Sequence, residues 1–147
     1  MPDIVHKVGI KSSSPPDVYQ ALTTLEGLSG WWTTNTQGEI QVGGGLQFRF
    51  GAGGFDMKVL ALDPARRVQW QVIDGPAEWL GTVIAFELEQ RGDWTIVLFQ
   101  HEGWKPPVEF MHHCSTKWAV LLLSLKSLLE TGKGAPWPSE IKLDSWE

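Results

Sequence analysis

The sequence has one cysteine in 147 residues, so no internal disulfide can form and a disulfide-stapled secreted scaffold is excluded. It has no excess of positive charge: 12 Lys and Arg stand against 17 Asp and Glu, for a net charge of −5. A nucleic-acid partner, whose phosphates demand clustered cations, is therefore not expected. No run approaches the ~20 apolar residues that span a bilayer. The opening Met1-Pro2-Asp3 does not read as a signal peptide. The expected compartment is the cytoplasm, with no membrane span. Phosphate-binding patterns are missing too. Gly43-Gly44-Gly45 and Gly51-Ala52-Gly53-Gly54 fit neither nucleotide fingerprint and open no helix, so they read as strand bends and hairpin turns. His112-His113-Cys114 is the one metal-like cluster, but adjacent helical residues project about 100° apart and no pair has four-residue spacing. No metal and no other cofactor is expected.

Tryptophan is what the chain has in excess, with nine residues. Nine indoles in one small domain must fill an aromatic core, line a cavity, or do both. A hydrophobic fraction of 42% at this length fits a single domain over residues 1–147, without repeat or linker.

Hydrophobic spacing divides the chain in three. Ile4, His6, Val8 and Ile10 alternate as a first strand. Ser14-Pro15-Pro16-Asp17 supplies a cap, a proline for the first turn and an acid for the positive helix end. Val18, Leu22 and Leu25 then recur at helical spacing, giving a helix to about Thr24 that Gly27 and Gly30 break before Trp31-Trp32. From Gly38 to Gly103 the period is two. Segments around Ile40–Val42, Leu46–Phe50, Met57–Ala61, Val68–Val72, Leu80–Leu88 and Thr95–His101 read as six strands of an antiparallel meander. Pro106-Pro107 ends this region. Met111, Cys114, Trp118, Leu121, Leu122, Leu125, Leu128 and Leu129 then form a broad stripe on a helix of about 24 residues, stopped by Gly132 and Gly134. The class is α+β: a curved antiparallel sheet laid around a long C-terminal helix. Space left between the two would be a pocket of the concave, apolar kind that takes ligands.

Five pieces in order carry a family resemblance: Trp31-Trp32, the stretch 42–48 (VGGGLQF), the stretch 63–68 (DPARRV), the stretch 95–104 (TIVLFQHEGW), and Trp118 with the stretch 125–134 (LKSLLETGKG). The chain resembles the START-related helix-grip superfamily (SRPBCC), and within it the group similar to the chaperone-ATPase activator. The resemblance implies a single START-like domain with a helix-grip fold, two short helices after the first strand, and a cavity closed by the last helix. It also implies roles as different as lipid binding, polyketide cyclisation and chaperone assistance, so function must come from the site.

The inward faces nominate Trp32, Phe48, Phe50, Met57, Trp70, Phe86, Phe99, His101, Met111, Cys114 and Trp118 as ligand-binding residues. A small hydrophobic molecule, aromatic or lipid-like, is the expected partner, with His101 or an indole N–H fixing its polar end. The alternative to a cavity is that these rings fill a solid core. His101, at the end of the last strand, either bonds a neighbouring backbone carbonyl or, as the weak catalytic candidate, exchanges a proton in a cyclase- or dehydratase-type reaction. Glu102 faces away by strand parity, leaving no acid to orient it. Cys114 on the apolar stripe reads as an inert small hydrophobe. A chaperone-cofactor-like interaction module is the third functional reading. Trp104, Trp137 and Trp146 are expected to be exposed and so to favour a homodimer.

Overall fold

The computed structural model describes residues 3–11, 13–105 and 107–146. Met1, Pro2 and Pro106, which entered the leader and strand-end expectations, lie outside them. Strand β1 (Ile4–Lys11) leads into α1 (Pro15–Thr23) and α2 (Leu25–Trp31). Six further strands follow: β2 (Asn35–Gly38), β3 (Gly45–Phe50), β4 (Gly53–Asp63), β5 (Arg67–Asp74), β6 (Val83–Arg91) and β7 (Trp94–Glu102). Helix α3 (Glu109–Thr131) comes last. The sheet is antiparallel throughout, in the order β1-β7-β6-β5-β4-β3-β2. Two register shifts in β4, at Asp56/Met57 and Val59/Ala61, bend it, as bulges do. The result is a curved α+β helix-grip fold.

Local chemistry explains most of these boundaries. Ser14 and Asp17 form a reciprocal capping box at the start of α1. Gly132 takes the left-handed conformation, φ 85°, and ends α3. Gly92 at φ 60° supports the two-residue turn that sets Arg91 opposite Trp94 in the β6–β7 hairpin.

Four sequence expectations are corrected. Gly27 and Gly30 do not break the helical region; they lie inside α2, where small size permits close packing. A Cβ on Gly27 would stand 2.6 Å from the Cα of Ala21, and one on Gly30 would stand 3.1 Å from Leu128 Cδ2. Ile40 and Val42 form no strand. The first strand of the meander is instead the polar β2, and Val42 is exposed. Strand β6 begins at Val83, because a 3-10 turn at Ala77–Trp79 takes up the preceding residues and leaves Leu80 exposed. Trp104 is fully buried, packed against His101 and Phe110, and offers no dimer surface.

The concave face of the sheet packs on α1, α2 and α3 around one core. Phe48, Met57, Trp70, Phe86 and Phe99 from the strands meet Trp31 and Trp32 from the α2 end and Trp118, Leu122 and Leu125 from α3. Trp32 stacks on Phe48 at 4.2 Å, and Trp118 lies 4.6 Å from Phe99.

Candidate functional site

The core fills most of the space between helix and sheet but not all of it. A half-open cavity of about 430 Å³ remains at the end of α3 nearest the β3–β4 hairpin. That volume suits a small organic molecule. Phe50 on β3, Gly53, Gly54 and Phe55 on β4, and Trp79 of the 3-10 turn form its sheet side. Phe110, His113, Cys114, Lys117, Trp118 and Leu121 form its helix side, with Trp32 at the back. The third wall is the C-terminal tail, through Trp137, Glu140, Lys142 and Trp146.

The helix side follows from α3 periodicity. Phe110, Cys114, Trp118 and Leu121 advance at spacings of four, four and three, while His113 and Lys117 mark its polar border. The aromatic lining is mutually braced. Phe55 and Trp79 stack at 4.2 Å, and Trp79 and Trp118 lie nearly parallel, 12° apart, at 6.0 Å. Phe50 meets Trp137 edge to face. Trp79 Nε1 is buried without an acceptor in hydrogen-bond geometry among the described residues. It lies toward Cys114, whose thiol burial pushes up to about 12 against a smaller opposing effect of that indole. Cys114 is therefore a neutral, inert wall of the cavity.

The tail is fastened at both ends of its approach. Ser124, buried in α3, donates to the Trp31 carbonyl and accepts from Ala135 N–H, both at 2.8 Å. Trp137 N–H donates to the Trp32 carbonyl at 2.7 Å. Beyond that point, charged side chains meet α3. Glu140 Oε2 lies 3.6 Å from Lys117 Nζ, and Glu140 Oε1 accepts from Lys142 Nζ at 2.6 Å. Only 1% of the Glu140 side chain is exposed. Asp144 Oδ2 pairs with His113 Nδ1 at 2.7 Å, a bond that holds the Asp144 carboxyl below its usual range. Trp146 covers His113 and Phe110 at 5.3 and 5.9 Å.

Of the residues nominated from sequence, Trp32, Phe50, Cys114 and Trp118 line this cavity. Phe48, Met57, Trp70, Phe86 and Phe99 are core residues away from it, and Met111 is half-buried against the core. His101 does not line the cavity. It is completely buried in a chain of donors: Trp118 Nε1–H donates to His101 Nδ1 at 3.1 Å, and His101 Nε2–H donates to Thr82 Oγ1 at 2.8 Å. Thr82 Oγ1–H in turn donates to the Trp79 carbonyl at 2.6 Å. The bond from Trp118 assigns the tautomer, because Nδ1 can accept only when unprotonated. Burial pushes the imidazole down to about 3. At neutral pH the ring is neutral, with both nitrogens engaged in holding Trp118 and Thr82.

Sequence reading overlooked Phe55, Trp79, Phe110, His113, Lys117 and the tail residues Glu140 and Lys142 as cavity residues. The helix spacing from Cys114 could have found Phe110 and Lys117. Nothing periodic marks the tail. Among the described residues no group of three or more His, Cys, Asp or Glu is arranged to hold a metal, and no helix is long and apolar enough to cross a membrane.

Comparison with known proteins bears on the fold. The family model described as "Activator of Hsp90 ATPase homolog 1-like protein" matches residues 12–130. The solution structure of the Aha1 dimer from Colwellia psychrerythraea has a TM-score of 0.85 and 50% identity, covering 91% of this chain and 100% of that one. Protein MLL2253 from Mesorhizobium loti has a TM-score of 0.76 at 21% identity, over 87% of this chain and 96% of its own. CalU16 from Micromonospora echinospora has a TM-score of 0.71 at 16% identity, over 86% of this chain and 73% of its own. The latter two are likenesses of fold alone. No curated protein matches. With a family match over residues 12–130 and half of the residues shared with the Colwellia protein, the chain belongs to the activator of Hsp90 ATPase homolog 1-like family of helix-grip proteins.

Proposed function

We propose that this protein binds a small, largely aromatic molecule in the cavity between α3, the β3–β4 hairpin and the C-terminal tail. The observation that carries the reading is the cavity itself: about 430 Å³ walled by Trp32, Phe50, Phe55, Trp79, Phe110 and Trp118, the charged groups among the described residues lying where α3 meets the tail. Ring faces and edges offer an aromatic ligand stacked and edge-on contacts without a new desolvation cost. The few polar groups at the border serve orientation. Native mass spectrometry of the freshly purified protein against the denatured sample is the test. A stoichiometric small-molecule excess that vanishes on denaturation is expected. A clean apo mass, together with no saturable binding of the neutral dye N-phenylnaphthylamine, refutes the reading.

A second reading, homodimerisation, is favoured by the Colwellia protein, which is described as a dimer and shares 50% of its residues with this chain. Ile141 and Trp146 of the tail are exposed and apolar, as interface residues tend to be. Light scattering coupled to size exclusion checks it, with twice the chain mass of 16.4 kDa expected.

A further inference from the structure

The charged border of the cavity has an order that the ligand reading leaves unused. Helix α3 contributes only groups that are or can become cations, His113 and Lys117, one turn apart and facing the cavity. Among the described residues of the tail, two carboxylates meet them, Glu140 and Asp144, also four residues apart. The pairs run antiparallel, Lys117 with Glu140 and His113 with Asp144. Among the described residues the remaining charge at the border is Lys142, two residues from Glu140, to which it donates at 2.6 Å.

These groups are not held equally. The helix wall is part of the core, through Cys114, Trp118 and Leu121. The tail segment 139–146 has no helix or strand, and Ile141 within it is 69% exposed. Yet this irregular segment buries the Glu140 carboxylate almost completely at the edge of an aromatic cavity. Burying a carboxylate is costly unless cations hold it. Lys142 does so at 2.6 Å and Lys117 lies 3.6 Å from the other oxygen, so the carboxylate sits between two ammonium groups. A cationic ligand would meet a carboxylate that already carries two ammonium groups. An anionic one would meet the two ammonium groups that now hold Glu140, a carboxylate carried on a segment without helix or strand.

We infer that the cavity takes an apolar aromatic acid, whose ionised group replaces the Glu140 carboxylate on Lys117, so that the tail carries a built-in stand-in for the ligand's acid. The inference rests on the cavity being a ligand site and names the ligand's chemical class.

Two dyes with the same phenylnaphthylamine skeleton separate the two statements: neutral N-phenylnaphthylamine and its anionic analogue anilinonaphthalene sulfonate. Their dissociation constants are measured by fluorescence, with mutual displacement showing one site. The wild type should prefer the anion. Lys117→Gln should raise the ratio of anion to neutral dissociation constants about tenfold, the worth of one charge-assisted bond. Glu140→Gln should lower that ratio several-fold. Because Glu140 is buried, Asp144→Asn on the exposed pair is the companion variant and should also lower it, with near-UV dichroism reporting native packing in each. A ratio that Lys117→Gln leaves at the wild-type value overturns the inference, as does a rise with both acid-to-amide variants. If the neutral dye binds and the ratio ignores these charges, only the acid-group assignment falls. If neither dye binds the wild type, the cavity reading falls and takes this one with it.

Discussion

At the scale of single residues, the buried histidine is the clearest case of chemistry decided by neighbours. His101 accepts at Nδ1 from Trp118 and donates at Nε2 to Thr82, so a second ring proton would aim N–H at N–H. Its folded pKa of about 3 lies below the ordinary 6.5. A depressed histidine stays neutral in the fold while the unfolded chain takes up a proton, so folding stability falls as pH drops from 6.5 toward 3. The slope from this one group is roughly 1.4 kcal/mol per pH unit. Urea unfolding between pH 7 and 4 should show the wild type losing stability faster than His101→Gln by that amount. Parallel pH profiles would mean that His101 titrates within the folded protein. His101→Gln should itself cost about 1–3 kcal/mol at pH 7, from the partners it leaves unpaired. Cys114 makes a companion case. With its thiol pushed up from 9.0 to about 12, thiolate is scarce at pH 8. Ellman's reagent should then react roughly a thousandfold more slowly than with an unperturbed thiol, and at an ordinary rate after unfolding in urea.

At the scale of elements, α2 shows why a local signal misled. Gly27 and Gly30 look like helix breakers because glycine usually costs a helix about 1 kcal/mol against alanine. Here the missing Cβ allows α1 and α2 to meet at a tight corner. Gly27→Ala gains helix propensity but drives Cβ to 2.6 Å from the Cα of Ala21, a backbone atom that cannot step aside. It should destabilise by about 1–3 kcal/mol net. Gly30→Ala meets Leu128 Cδ2 at 3.1 Å, the end of a side chain that can rotate, and should fall within about 1 kcal/mol of neutral. Thermal melts of the two variants check the contrast; equal losses would refute the account. The elements that were legible are those whose signal is local or periodic: the Ser14 cap, the α3 stripe, and the alternation of β3 to β7. Strand β2 was not, because Asn35-Thr36-Gln37-Gly38 is a short edge strand held by backbone pairing to β3, with little apolar pattern to read. Trp104 was misjudged for the opposite reason. It follows the last strand in a segment without periodicity, so nothing in its neighbours announces burial.

At the scale of the whole molecule, the cavity is made by elements far apart in sequence, which is why only part of its lining could be read. Strand parity says which face Phe48, Trp70 and Phe86 share. It does not say how deep along that face the space is already filled by Trp31 and Trp32. The third wall comes from residues 137–146, joined to α2 and α3 through Trp137 and Ser124, contacts that no periodicity encodes. A cavity assembled this way exists only in the folded state, so a molecule that fills it must stabilise the fold by mass action. At a free concentration of N-phenylnaphthylamine 100 times its dissociation constant, the gain is about 2.7 kcal/mol. For a chain of this size that corresponds to a rise in melting temperature of about 5–10 °C. Above saturation each further tenfold in dye should add about 1.4 kcal/mol, so the melting temperature keeps climbing with the logarithm of concentration. A melting temperature that levels off instead would mean that the dye also binds the unfolded chain. In that case it would be recognising nine tryptophans as apolar surface, and not the cavity that α3, the sheet and the tail enclose together.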